Sequence, residues 1–101
     1  MHAPTNYTQI VARKRYSTAT ATLLAGDDYW DGNNFERQGR NRFLYRTPNG
    51  GYFVVFLTQW QGESDSLTPV SEGEAVEEYE GMREQRVEYA EAFPGVVIEE
   101  A

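Results

Sequence analysis

The stretch Arg42–Trp60, RFLYRTPNGGYFVVFLTQW, limits what this chain can fold into more than any other. Two apolar-aromatic runs flank Pro48-Asn49-Gly50-Gly51. Asn-Gly is a strong two-residue hairpin signal, because both central residues of a type I′ turn need positive φ. The spacing therefore predicts a β-hairpin closed at Asn49-Gly50, with Phe43 opposite Phe56, Leu44 opposite Val55 and Tyr45 opposite Val54. One face would carry Phe43, Tyr45, Tyr52, Val54 and Phe56, and the other Leu44, Phe53, Val55 and Leu57. A slip of one residue exchanges the partners' faces. The run Tyr52–Leu57 is apolar and aromatic without a break. A strand of that kind is covered on both faces and belongs in the interior of a sheet.

The rest of the chain reads as cover and extension for this hairpin. With 101 residues it makes one domain, and its 14 aromatic residues must supply much of the core. Residues 1–12 are weakly patterned, as loosely ordered termini often are. Arg13-Lys14-Arg15 is either a solvated turn or a docking patch for an anion. Thr18, Thr20 and Thr22 alternate with Ala19, Ala21 and Leu23, which favours a strand, most securely over Thr20–Asp28. Gly26–Arg40 has a loop composition, yet it holds Tyr29, Trp30 and Phe35. These either fold back on the core or form an exposed recognition surface, since Trp and Tyr are frequent interface anchors. Thr58–Thr68 is polar and turn-like, with Trp60 its one large apolar side chain. Ser71 followed by Glu74 is a capping box, so a helix starts there, with Ala75, Val76 and Tyr79 on its inner face and Gly81 at its end. A second short helix is expected within Arg83–Phe93, and Val96–Ile98 is a last edge strand or a docking tail. The fold class is thus α+β: an antiparallel sheet of three or four strands around the central hairpin, packed with one or two short helices.

Charge is divided along the chain. Residues 1–62 carry seven Lys/Arg against four Asp/Glu, and residues 63–101 carry two against twelve. Glu72–Glu91 alone holds eight glutamates and two arginines. Such a run is a solvated helix face or a negative surface that meets a basic groove on a partner, where complementary charge speeds and orients docking. The basic residues Arg13–Arg15 and Arg37–Arg46, with Trp30 and Tyr45 near them, suggest the alternative of a nucleic-acid-binding regulator. Against it, the acidic half repels nucleic acid, and the arginines can pair with the helix carboxylates. The chain has no Cys, and its one His is His2, so thiolate–imidazole and Ser–His arrangements are missing. Asp27, Asp28 and Asp31, followed by Gly32, fit a calcium loop poorly, because Tyr29 falls where an oxygen ligand belongs. No cofactor or metal is expected, and no apolar run approaches the ~20 residues of a membrane span. A cytoplasmic protein of a bacterial cell is the corresponding expectation.

Three segments stand in a recognisable order: Lys14-Arg15-Tyr16-Ser17-Thr18-Ala19-Thr20-Ala21, then Leu44-Tyr45-Arg46-Thr47 with Gly50-Gly51-Tyr52-Phe53, then Pro69-Val70-Ser71 with Glu74-Ala75. The order resembles a family of small phage and plasmid accessory proteins with the pattern K-x-Y-x-T-x-T-A, L-Y-R-T-x-x-G-x-Y-F, P-x-S-x-x-E-A. The chain departs from the family in the apolar run Val54–Leu57, which is more polar and Gly-rich in relatives. The resemblance implies a mobile-element accessory protein, and small acidic proteins of such elements are often inhibitors of host defence, anti-CRISPR proteins among them. No site residue transfers with it. The surface expected to meet a protein partner is Trp30, Trp60, Glu72, Glu74, Glu77, Glu78 and Glu80. The oligomeric state is left open by the sequence.

Overall fold

The computed structural model describes residues 3–27 and 40–101. Its strands are β1 (Thr8–Val11), β2 (Lys14–Ser17), β3 (Thr22–Gly26), β4 (Arg40–Arg46), β5 (Tyr52–Thr58), β6 (Ser66–Val70) and β7 (Glu84–Gln85). The helices are α1 (Glu72–Gly81) and the single turn α2 (Tyr89–Ala92). An antiparallel five-stranded sheet runs in the order β6-β5-β4-β3-β7, and β1 and β2 form a separate hairpin. The domain is α+β, with five strands in the main sheet where three or four were expected.

The expected hairpin is β4–β5, and both its faces are buried. Phe43, Tyr45, Phe53 and Val55 join Leu67 in one core, and Leu44, Tyr52 and Val54 join Leu24, Ala75, Tyr79 and Phe93 in the other. The register differs from the expected one by a residue: Phe43 lies opposite Val55, Leu44 opposite Val54 and Tyr45 opposite Phe53. Pro48 is the reason. Its fixed φ suits the first central position of a type I turn. The Gly50 N–H then donates to the Thr47 carbonyl at 3.0 Å and the Thr47 N–H to the Gly51 carbonyl at 2.8 Å. Within the turn only Gly50 takes a positive φ, +88°, as the bulge residue that follows a type I turn. The loop gains a residue, and β5 turns over relative to β4.

The first core lies under the β1–β2 hairpin, formed within the weakly patterned start of the chain. Val11 pairs with Lys14 around a two-residue turn, Ala12-Arg13, with φ of +51° and +68°. Tyr7, Val11 and Tyr16 pack on the sheet, and the Tyr16 ring meets Phe53 edge-on at 5.6 Å. Tyr45 and Phe53 stack at 5.1 Å, and the Tyr45 hydroxyl donates to the Pro4 carbonyl at 2.8 Å.

The second core lies under α1 and the C-terminal segment. The capping box forms as expected: the Glu74 N–H donates to Ser71 Oγ at 3.2 Å and the Ser71 N–H to Glu74 Oε1 at 3.0 Å. The expected second helix shrinks to Tyr89–Ala92, because Glu84 and Gln85 are taken up as β7 on the edge of β3. Unpaired strand-edge groups need partners, and the Arg86 N–H donates to the Leu24 carbonyl at 2.8 Å. Val96–Ile98 form no strand; Val96 packs on the core while Val97 and Ile98 are exposed. On the opposite edge, β6 carries Pro69, which has no N–H to offer a further strand. Among the described residues no helix is long and apolar enough to cross a membrane.

Candidate functional site

α1 turns Ala75 and Tyr79 into the core, leaves Glu77 and Glu80 exposed away from it, and holds exposed Glu72 at its start beside the β4–β5 turn. The remaining two predicted glutamates are used within the fold. Glu74 closes the capping box, and its hydrogen bonds from Ser71 hold its carboxyl below the usual carboxylate range. Glu78 is the partner of Arg42 on β4, whose Nε and Nη2 both donate to its carboxylate. Glu80 accepts from the Tyr89 hydroxyl at 3.2 Å. Burial, and then that bond, push the Tyr89 phenol up.

Trp60 stands in the β5–β6 turn and is 52% exposed. It is held rather than loose. The Arg40 guanidinium sits 5.4 Å from its ring centre, a cation–π arrangement. Arg40 is in turn fixed by Glu63, with Nη2 to Oε2 at 2.7 Å and Nε to Oε1 at 3.1 Å. The Trp60 N–H donates to Thr58 Oγ1 at 3.1 Å, and that hydroxyl donates to Glu63. The Arg40 bonds, and then Thr58, hold the Glu63 carboxyl low, and Glu63 raises Arg40.

Arg40 and Arg42 are two residues apart on β4, so their side chains leave the same face of the sheet. That parity puts the Trp60 turn and α1 on one side of the molecule. Between them Arg42 separates two hollows. One is charged and lined by Asp27, Glu74, Glu77, Glu78 and Glu80 with Arg83. The other has Val54, Phe56 and Val70 as its apolar lining and Ser66 and Thr68 beside them. The surface is thus an acidic ridge, an apolar recess and an exposed indole in succession.

The structure brings Glu74, Glu77, Glu78 and Glu80 together around one hollow, places Glu72 apart from them beside the β4–β5 turn, and sets Trp60 in the β5–β6 turn against Arg40. Trp30 and Arg37, with Asp28, Asp31 and Gly32 of the calcium motif, lie outside the described residues. Asp27 accepts from the Arg42 N–H at 2.7 Å and from Asn41 Nδ2 at 3.2 Å, so it serves the β3–β4 junction. Among the described residues no group of three or more His, Cys, Asp or Glu is placed to hold a metal ion. The basic cluster expected over Arg37–Arg46 does not form an open patch in its described part. Arg40 and Arg42 are paired with carboxylates, and Arg46 donates to the Glu91 and Ala92 carbonyls. Sequence reasoning missed Glu63 and Arg40 as the residues that set Trp60. The partners are 23 positions apart, and no local signal joins them. Compared with known proteins, the chain matches no family model, no curated protein and no solved structure.

Proposed function

We propose that this protein acts by binding, presenting the outer side of α1 and the Trp60 turn to a basic surface of another protein. Following the resemblance to phage and plasmid accessory proteins, the partner is a component of a bacterial host's defence machinery, and docking inhibits it, as anti-CRISPR proteins do. The observation that carries the proposal is the pairing of opposite features on one side of the fold. Glu77 stands exposed with no ion-pair partner among the described residues and lines, with Glu74 and Glu80, a charged hollow that meets an apolar recess at Arg42, on the side of the sheet that carries a half-exposed Trp60 already fixed in place. Preorganised aromatic anchors inside charged rims are where binding energy concentrates, because little side-chain entropy is left to lose.

The test is affinity capture from bacterial lysate with the wild-type chain, Trp60→Ala and Glu77→Lys/Glu80→Lys. The expected result is a basic defence component retained by the wild type, released by raised salt and lost from both variants. Capture of no defence component, or equal capture by all three baits, refutes the proposal.

A further inference from the structure

The basic end of the chain is separated from the acidic surface by the sheet itself. Residues 1–26 contain no Asp or Glu, and Arg13, Lys14 and Arg15 are exposed at the closed end of the β1–β2 hairpin. Unlike the arginines of β4, these three have no ion-pair partner among the described residues. The hairpin turns Tyr7, Val11 and Tyr16 inward and leaves Thr8, Ile10, Arg15 and Ser17 on its outer face. These four line a shallow recess with Gln9 and Thr20, and the outer face offers one guanidinium and hydroxyls and no carboxylate, while Lys14, paired with Val11, leaves the other face at the hairpin's end. Hydroxyl and amide side chains beside Arg and Lys are the usual contacts to phosphate oxygens.

We propose that the β1–β2 hairpin is an arm that grips the phosphate backbone of double-stranded nucleic acid, through Arg13, Lys14 and Arg15 with Thr8 and Ser17 beside them. A two-stranded ribbon is narrow enough to enter the major groove of a duplex. An anionic membrane surface is the weaker fit, since Ile10 is the one large apolar side chain the described hairpin exposes and interfacial binding needs a broad apolar face. The charge of α1 does not prevent contact. Hairpin and helix lie on opposite faces of the sheet, about 20 Å apart at roughly 10 Å per packed layer. At 0.1 M salt the screening length is about 10 Å. The acidic side of α1 instead helps to orient the protein, since it repels a polyanion that the hairpin attracts. This inference is independent of the protein-binding proposal, which uses the other face.

The measurement is fluorescence anisotropy of a short labelled DNA duplex across a salt series. Three phosphate contacts give a log–log salt slope of about −2.7, so affinity falls about 40-fold between roughly 50 and 200 mM salt. Arg13→Gly/Lys14→Gln/Arg15→Gln removes the charges while glycine keeps the positive φ the turn needs; it is expected to lose the salt-dependent binding with its melting temperature unchanged. If that variant proves unstable, the single change Arg15→Gln decides: it removes one exposed charge outside the turn and is expected to reduce the slope by about 0.9, and an unchanged slope overturns the inference. Glu77→Lys/Glu80→Lys leaves duplex affinity equal or higher, whereas it abolishes capture of the protein partner. Failure to bind duplex at low salt, wild-type binding by the folded charge-removed variant, or preference for anionic vesicles over duplex overturns the inference.

Discussion

Replacing Phe93 by Ala should unfasten the C-terminal segment, and the structure says by how much. Phe93 is fully buried, and its ring meets Tyr52 at 5.3 Å, Tyr79 at 5.4 Å and Tyr89 at 5.4 Å. Around it the segment is tied to the sheet by polar bonds: the Tyr52 hydroxyl donates to the Ala92 carbonyl at 3.1 Å, and the Tyr79 hydroxyl donates to the Val87 carbonyl. Burial pushes both phenols up, consistent with neutral donors in an apolar setting. Truncating a buried Phe to Ala costs about 3–5 kcal/mol, the lost transfer energy plus the cavity left behind. That is a large share of the ~5–15 kcal/mol that holds a domain together. At about 4–8 °C per kcal/mol the melting temperature should fall on the order of 20 °C. Urea unfolding followed by circular dichroism measures the loss, and Phe93→Leu, which refills most of the space, should cost about 1–2 kcal/mol. A double-mutant cycle with Tyr79→Leu isolates the edge-to-face pair, expected at about 0.5–1.5 kcal/mol. A loss below about 1 kcal/mol for Phe93→Ala, against the cavity cost above, would refute the claim that this ring anchors α2, and with it the placement of the acidic run on the sheet.

Two glycines should respond to Ala with opposite signs. Gly50→Ala meets no neighbouring atom but must hold φ near +88°, costing about 1–2 kcal/mol, while Gly73→Ala sits in open space within α1 and should stabilise by up to about 1 kcal/mol; urea midpoints of the two variants check both signs. Stability should also fall at both ends of the pH scale. The Glu63 and Glu74 carboxyls lie below their ordinary 4.5 in the folded state, so their contribution is complete above that pH and is lost as pH falls through the lowered values. The phenols of Tyr52, Tyr79 and Tyr89 lie above 10.0, so theirs is complete below that pH and is lost as pH rises through the raised values. Unfolding midpoints across pH check this, and Glu63→Gln/Glu74→Gln should flatten the acid limb; an acid limb unchanged in that variant counts against the assignment.

Whatever the chain states within a few residues was legible. Ser71 and Glu74 mark the helix start because a capping box is a contact across three positions. The unbroken run Tyr52–Leu57 announces a strand covered on both faces because alternation is a property of neighbours. Even so, the turn departs by one residue from the one Asn49-Gly50 predicts. Asn49-Gly50 and Pro48-Asn49 are competing turn centres, and Pro48 wins because its φ is fixed before any strand pairs. The β1–β2 hairpin was harder to see, since Ala12 and Arg13 are poor residues for positive φ. They hold it because Tyr7, Val11 and Tyr16 bury against the sheet, and that burial outweighs the local cost.

The candidate site divides along the same line. Sequence alone determined that the second half of the chain is acidic, that its helix starts at Ser71 and that Trp60 lies in a polar turn. Only tertiary structure decided that Glu74 and Glu78 are occupied within the fold while Glu72 and Glu77 stand open, that Arg40 and Glu63 hold Trp60, and that the basic hairpin lies across the sheet from α1. Capping and alternation act between near neighbours, so they can be read along the chain. Ion pairs, exposure and the face on which a charge emerges depend on strand register and layer order, which are fixed only when distant segments pack.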